Sequence, residues 1–203
     1  SCPGDVEECV SLLKQKVDNF NRLYGRNNNV VVQTRYWKDD SFPESGGKPQ
    51  KLLNSQIVDD ADFAVVIFWT RFGSPTDEYS SGTEEEIEIM LQSGKQVFMY
   101  FSDKPIPPSK MNDDGYKKVQ DFRDKYKDRG IYFTYSSDEE FKKMFFAHLS
   151  KYFLSYKKEQ ETVSERCSKL KLLGIDESGQ LSEKAFVCHL CSTQRLLCKN
   201  TLV

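Results

Sequence analysis

A continuous apolar run, Phe63-Ala64-Val65-Val66-Ile67-Phe68-Trp69, decides the fold. A strand with one exposed face alternates apolar and polar residues, whereas this run contains no polar residue, so it predicts a central strand covered on both faces. A second run of this kind, Val97-Phe98-Met99-Tyr100-Phe101, follows after a helical segment. Two such strands separated by a helix indicate a parallel sheet.

The segments on either side continue this alternation of strands and helices. Helices are predicted over residues 5–24, 49–58, 80–91, 113–127 and 137–160, and further strands over residues 30–37 and 131–135. Gly25 is expected to end the first helix. The order predicts an α/β fold, a mostly parallel sheet wrapped by helices that binds ligands beyond the carboxyl ends of its strands.

Length and composition indicate one main domain. The 203 residues, of which 38% are hydrophobic and 30% charged, suffice for one core and a small appendage. We expect a main domain over residues 1–160 and a helical C-terminal extension over residues 161–203. Residues 1–5 look like a loop that leaves a strand, so the chain as given is expected to lack its first strand.

Several functional classes are disfavoured. The 29 basic and 31 acidic residues are well mixed, which gives no broad basic face for nucleic acid. No apolar run approaches the roughly 20 residues that span a bilayer, and no signal peptide precedes the first helix, so we expect a cytoplasmic protein without a membrane partner. The phosphate-binding motifs GxxxxGK[ST] and GxGxxG do not occur, which disfavours kinases, NTPases and dinucleotide dehydrogenases.

Cysteines and histidines do not indicate a metal or a nucleophilic site. The six cysteines are too sparse for a secreted disulfide scaffold and are interpreted as reduced thiols. The segment Cys188-His189-x-Cys191, with Cys198 nearby, would need a second pair of ligands to hold structural zinc, so thiols on a terminal helix are favoured. His148 and His189 lie outside the loops that form the cleft, and His148 is expected to pack within a helix.

One acid falls on the apolar side of the predicted helix over residues 80–91. On a helical wheel, Glu86 lies between Ile89 and Met90, whereas Glu85 and Glu88 point away. A carboxylate there must be solvated in a cleft or hold a partner, because an unpaired charge in an apolar setting is costly. Glu86 is therefore the candidate catalytic residue, and the alternative is that it forms a buried ion pair, for example with Arg71.

The loops at the strand ends supply candidate ligand-binding residues. Arg71 could grip a phosphate and the aromatic residues could stack on a base, with ordinary packing and a surface charge as the alternatives. The candidates are Trp69, Arg71, Phe72, Gly73 and Ser74 after the central strand, Ser81 at the start of the next helix, and Trp37 and Tyr100 as cleft walls. An ionised carboxylate beside a sugar ring stabilises the oxocarbenium-like centre that forms when a glycosidic bond breaks.

Four separated motifs resemble a bacterial family of Toll/interleukin-1 receptor (TIR)-like domains, often found at the N-terminus of larger antiviral defence proteins. They are Ser1-Cys2-Pro3-Gly4-Asp5-Val6, Pro49-Gln50-x-x-x-Asn54-x-Gln56-Ile57, the segment from Ile67 to Thr76, and Ser81-Gly82-Thr83-Glu84-Glu85-Glu86. The resemblance covers residues 1–153 and implies a flavodoxin-like sheet. The Gly82-x-x-x-Glu86 spacing is also similar to that of nucleoside deoxyribosyltransferases and of NAD-cleaving TIR domains, which implies that Glu86 acts at the anomeric carbon of a ribose.

The resemblance implies an enzyme. Deoxyribosyltransferases place an Asp just ahead of the glycine, where this chain has Ser80-Ser81, so hydrolysis of NAD as substrate, without a cofactor, is favoured over transfer between bases. We expect an NAD hydrolase that acts as an effector in bacterial antiviral defence, activated through homo-oligomerisation or an attached sensor or NTPase domain. The alternative is a module that senses a nucleotide or assembles with other copies without turnover.

Overall fold

The computed structural model describes residues 3–28, 30–108 and 113–172. Its architecture is mixed α/β, a three-stranded parallel sheet flanked by helices, which is consistent with a flavodoxin-like fold. The strands are β1 (Phe63–Phe68), β2 (Gln96–Ser102) and β3 (Tyr132–Tyr135), and they lie in that order. The two apolar runs are thus confirmed as neighbouring parallel strands, with Phe63 opposite Gln96 and Phe68 opposite Phe101.

Helices cover most of the remaining described chain. A 3₁₀ turn (Gly4–Val6) leads into α1 (Glu7–Phe20), a π-helical turn (Asn21–Gly25) and α2 (Arg26–Asn28). Next come α3 (Trp37–Asp40), then α4 (Pro49–Leu53) with a π-helical turn (Asn54–Val58). The larger helices are α5 (Gly82–Gln92), α6 (Asp113–Tyr126) and α7 (Asp138–Leu172).

Each face of the sheet packs against its own helices. Side chains alternate along a strand, so Met99 and Phe101 share a buried cluster with Ile87 of α5 and Phe122 of α6. Tyr100 lies between them in sequence and points to the opposite face, where it contacts the α7 side chains Phe141, Phe145 and His148. The prediction that both faces of these two strands are covered is therefore confirmed. The prediction that residues 63–69 form a central strand was wrong for the described sheet, in which β2 lies between β1 and β3 and β1 lies at an edge.

The prediction of a strand over residues 30–37 was wrong. Residues 30–36 have no ladder partner in the described part of the chain, and Trp37 begins α3. At Val32 the side chain of Asn21 takes the place of a strand partner: its Nδ2 donates to the Val32 carbonyl at 2.8 Å, and its Oδ1 accepts from the Val32 amide at 2.9 Å. One amide side chain thus makes the two bonds that a neighbouring strand would offer.

Two helix boundaries also differ from expectation. Gly25 does not end the first helix, because the chain passes through the π-helical turn into α2. The helix predicted to close at residue 160 runs on as α7 to Leu172, into the segment that was expected to form a helical C-terminal extension. The rest of that extension, including Cys188, Cys191 and Cys198, lies outside the described residues.

The chain divides into two compact units, Ser1–Ser150 and Lys151–Val203. The sheet and the candidate site both belong to the first unit. Of the helices in the described ranges, none combines the length and the apolar character that crossing a membrane requires.

Candidate functional site

Helix α5 begins with a reciprocal cap. The Ser81 hydroxyl accepts a hydrogen bond from the Glu84 amide at 3.0 Å, and the Glu84 carboxylate accepts one from the Ser80 amide at 2.9 Å. Such a cap satisfies backbone donors that the first helical turn leaves free. It fixes the first residue of α5 at Gly82 and places Glu86 one turn further on. Ser81, a predicted ligand contact, is fully buried and serves as this cap.

The loop after β1 folds back onto the start of α5. The Gly82 amide donates to the Ser74 carbonyl at 3.0 Å. Gly73 has a φ of +101°, a conformation that favours glycine, and a Cβ there would lie 3.2 Å from the Ser81 Cβ. The predicted contacts Gly73, Ser74 and Ser81 are therefore brought together at the N-terminus of α5.

Glu86 is half-buried, and a neutral side chain holds its carboxylate. Its Oε1 accepts a hydrogen bond from Gln50 Nε2 of α4 at 3.0 Å. Gly82 makes this approach possible, because a Cβ at that position would come within 2.9 Å of the Gln50 Cδ. Within the described residues, Glu86 has no ion pair with Arg71, whose side chain is exposed and whose backbone amide donates to Asp5.

The bond to Glu86 is the end of a longer chain of hydrogen bonds. Gln50 Nε2 also donates to Asn54 Oδ1 at 2.9 Å, and Asn54 Nδ2 donates to Glu85 Oε1 at 2.8 Å. We call the residues Glu86, Gln50, Asn54 and Glu85 the amide–carboxylate chain. Asn54 is only 6% exposed, so its amide depends on these partners.

Sequence reasoning assigned no role to Gln50 or Asn54. Their i, i+4 spacing was a usable signal, since it places two amide side chains on one face of a helix. Glu85 and Glu88 were expected to point away from the protein, but both have partners. Glu85 accepts from Asn54, and Glu88 forms a two-pronged bridge to Arg129 with N···O distances of 2.5 and 3.0 Å.

Two of the predicted aromatic contacts are packed inside the protein. Phe72 is 4% exposed and packs against Phe68 and Phe122 in the cluster beside α5. Tyr100 lies on the opposite face of the sheet from α5, where its hydroxyl is 2.9 Å from His148 Nδ1. Burial raises the pKa of the Tyr100 phenol, because the charged form would lose its hydration.

Neither predicted tryptophan is joined to Glu86 by the contacts described. Trp69 is buried, and its indole N–H donates to the Lys104 carbonyl at 3.1 Å while the Lys104 ammonium lies 5.7 Å from its ring centre. Trp37 lies on α3 with 47% of its surface exposed and with Lys38 over its ring. Of the predicted ligand contacts, the structure therefore brings only Gly73, Ser74 and Ser81 together at the start of α5, within the described residues.

Asp5 is a further half-buried residue with several contacts, and the sequence did not single it out. Its Oδ2 accepts from the amide and hydroxyl of Thr70, each at 2.8 Å, and from the Arg71 amide at 3.1 Å. Its Oδ1 is buried and has no hydrogen-bond partner among the described residues. Asp5 therefore ties the turn before α1 to the carboxyl end of β1. No group of three or more acidic, histidine or cysteine side chains suited to a metal occurs among the described residues.

Residues 25–150 match the family model described as Domain of unknown function (DUF4062). This segment is more than half of the chain and contains the whole amide–carboxylate chain. The chain belongs to this family. No curated protein and no solved structure matches the sequence.

Proposed function

We propose that this protein hydrolyses the N-glycosidic bond of a nucleotide, with NAD as the first candidate substrate and Glu86 acting at the anomeric carbon of the ribose. One observation carries the proposal: the half-buried Glu86 carboxylate is held by the neutral amide of Gln50 rather than by a cation. A carboxylate without a paired cation keeps its charge available to stabilise an oxocarbenium-like centre.

The surroundings of Glu86 support this proposal. Glu86 lies in the second turn of α5, one turn beyond the capped N-terminus of the helix. Ser74 and Gly73 lie against the start of the same helix, in the loop of residues 69–81 that leaves the carboxyl end of β1. In open α/β sheets, ligands bind beyond the carboxyl ends of the strands. The assignment to TIR-like enzymes and the role as a bacterial antiviral effector rest on the sequence resemblance.

The decisive experiment is incubation with NAD and measurement of free nicotinamide by chromatography. We expect release by the unmodified chain and a loss of about 100-fold or more in Glu86→Gln, which keeps the size of the side chain but removes its charge. Glu84→Gln is the matched control, because it removes an acid from the same helix without touching the amide–carboxylate chain. A range of protein concentrations is used, since the resemblance implies activation by assembly.

Two outcomes would contradict the enzyme. If Glu86→Gln releases nicotinamide as fast as the unmodified chain, Glu86 is not catalytic. If calorimetry shows that NAD binds but stays intact at every protein concentration, the protein is a nucleotide-sensing or assembly module of the kind expected as the alternative.

A further inference from the structure

We propose that Gln50 is the positioning residue for Glu86, and that Asn54 and Glu85 fix the orientation of the Gln50 amide. This inference rests on the proposed function, because it assigns a role in the reaction of Glu86. The contact joins residues 36 positions apart, so it depends on how α4 packs beside α5. Gly82 provides the space in which the Gln50 amide lies.

The hydrogen bonds determine which way each amide points. The ionised Glu85 carboxylate only accepts, so the Asn54 group that faces it must be the Nδ2 donor. The Oδ1 of Asn54 then faces the Gln50 amide. Because Oδ1 is an acceptor, the end of the Gln50 amide that faces it must be the Nε2 donor and not the oxygen. That nitrogen carries two hydrogens, and its second bond goes to Glu86.

The order of these bonds has a consequence for Glu86. A Gln50 amide turned by 180° would point its oxygen at both Asn54 Oδ1 and Glu86 Oε1, and two acceptors facing each other repel. Glu85 therefore acts on Glu86 through two amides, without touching it. Placing a reacting group to within a fraction of an ångström affects the rate strongly, since a misplacement of about 1 Å can cost about 100-fold.

The test uses substitutions that keep volume and remove the donor. We expect Gln50→Met to lower kcat for nicotinamide release by about 10- to 100-fold and to change KM by less than about threefold. Asn54→Leu should act in the same direction, and Glu85→Gln more weakly, by about three- to tenfold. The double variant Gln50→Met with Asn54→Leu should have a kcat within about threefold of that of Gln50→Met alone. The effects of the two substitutions are not expected to add, because the residues act as one unit.

The matched control is Gln92→Met, the same substitution at an exposed position at the other end of α5. It should retain the kcat of the unmodified chain. A kcat unchanged in Gln50→Met would overturn the positioning role, whether KM stays the same or rises. Thermal unfolding of each variant identifies any loss of activity that is caused by misfolding. If the variant at the buried Asn54 does not fold, the variant at the partly exposed Gln50 still provides the test.

A crystal structure of Gln50→Met separates this inference from the proposed function. We expect the Glu86 carboxylate to leave its present position when the Gln50 donor is absent. If the unmodified chain releases no nicotinamide but Glu86 moves in the variant, the enzyme proposal fails and the positioning contact stands. If Glu86 keeps its position and Asn54 its contact with Glu85, the positioning role is wrong whatever the activity.

Discussion

At Gly82 helix propensity favours alanine, whereas the space needed by the Gln50 side chain favours glycine. Alanine favours a helix over glycine by about 1 kcal/mol, and Gly82 does not have a positive φ that would penalise a side chain. The added Cβ would nevertheless collide with the end of the Gln50 side chain, which must then move. A movable side chain makes this collision cheap for folding but costly for the contact with Glu86.

Gly82→Ala should therefore lower activity without lowering stability. We expect a free energy of unfolding equal to that of the unmodified chain or higher by up to about 1 kcal/mol. Nicotinamide release should fall by about tenfold or more, because Gln50 no longer reaches Glu86. Urea unfolding and the chromatographic assay measure the two effects. A variant that is clearly destabilised would show that the Gln50 side chain cannot move aside.

Asp5 shows how one carboxylate can stabilise a strand end. Removing it in Asp5→Ala leaves the amide and hydroxyl of Thr70, a residue only 1% exposed, without their acceptor. We expect a loss of about 1–3 kcal/mol in the free energy of unfolding, the usual cost of unsatisfied buried donors. Asp5→Asn should lose less, because its carbonyl oxygen can still accept from Thr70. Equal losses in the two variants, measured in urea, would argue against this account.

At the scale of single elements, Asn21 of the π-helical turn binds the segment of residues 30–36 through two hydrogen bonds to the Val32 backbone. Asn21→Leu keeps the approximate volume but removes both bonds to Val32, so we expect a loss of about 1–3 kcal/mol in stability. Hydrogen exchange provides the local measurement: the Val32 amide should exchange faster in the variant, while the amides of β2 should be affected only by the change in global stability. Unchanged exchange at Val32 would show that another group protects it.

The elements that the sequence predicted well are those whose signal is local. The strands β1 and β2 are apolar runs, and α5 starts at a Ser-Gly-Thr-Glu cap, so neighbouring residues suffice to identify them. The segment over residues 30–36 has strand-forming residues, but a strand also needs a partner, and the backbone of Val32 bonds to the side chain of Asn21. Local pattern cannot show which partner a segment finds.

In the candidate site, too, the sequence predicted the features that have a local signal and missed those that depend on a distant partner. The helical wheel identified Glu86 as the unusual acid. In the structure Glu86 is half-buried, as are Glu84, Glu85 and Glu88. The Gln50 contact joins two helices separated by β1, so nothing near Glu86 in sequence indicated it. Phe72 and Tyr100 were assigned to the cleft because they lie at strand ends, but side-chain direction places Phe72 in the core and Tyr100 on the far face.

At the scale of the whole molecule, the face of the sheet away from α5 buries several ionisable groups in neutral form. Burial raises the pKa of the Tyr100 and Tyr135 phenols and of the Cys9 thiol. Cys9 Sγ lies 3.4 Å from the Tyr135 hydroxyl, and the Tyr135 ring packs on Phe141, so this cluster links α1, β3 and α7.

This burial predicts a loss of stability at alkaline pH. Each phenol has a folded-state pKa above its unfolded value, so its contribution is complete below about pH 10 and declines as the unfolded chain ionises while the folded chain keeps its proton. The unfolded state then binds fewer protons, and the free energy of unfolding falls by up to about 1.4 kcal/mol per pH unit for each phenol. Urea unfolding between about pH 9 and pH 12 measures this slope.

The substitution Tyr100→Phe tests which group causes the slope. It removes the bond to His148 and should lower stability at neutral pH by about 1 kcal/mol, but above about pH 10 its slope should be shallower than that of the unmodified chain. Its stability should therefore approach or exceed that of the unmodified chain as the pH rises. Tyr116→Phe, which removes an exposed hydroxyl from α6, is the control and should keep the original slope. Parallel curves for Tyr100→Phe and the unmodified chain would mean that Tyr100 ionises as readily in the folded protein as in the unfolded one, which its 1% exposure and its packing against Phe141 argue against.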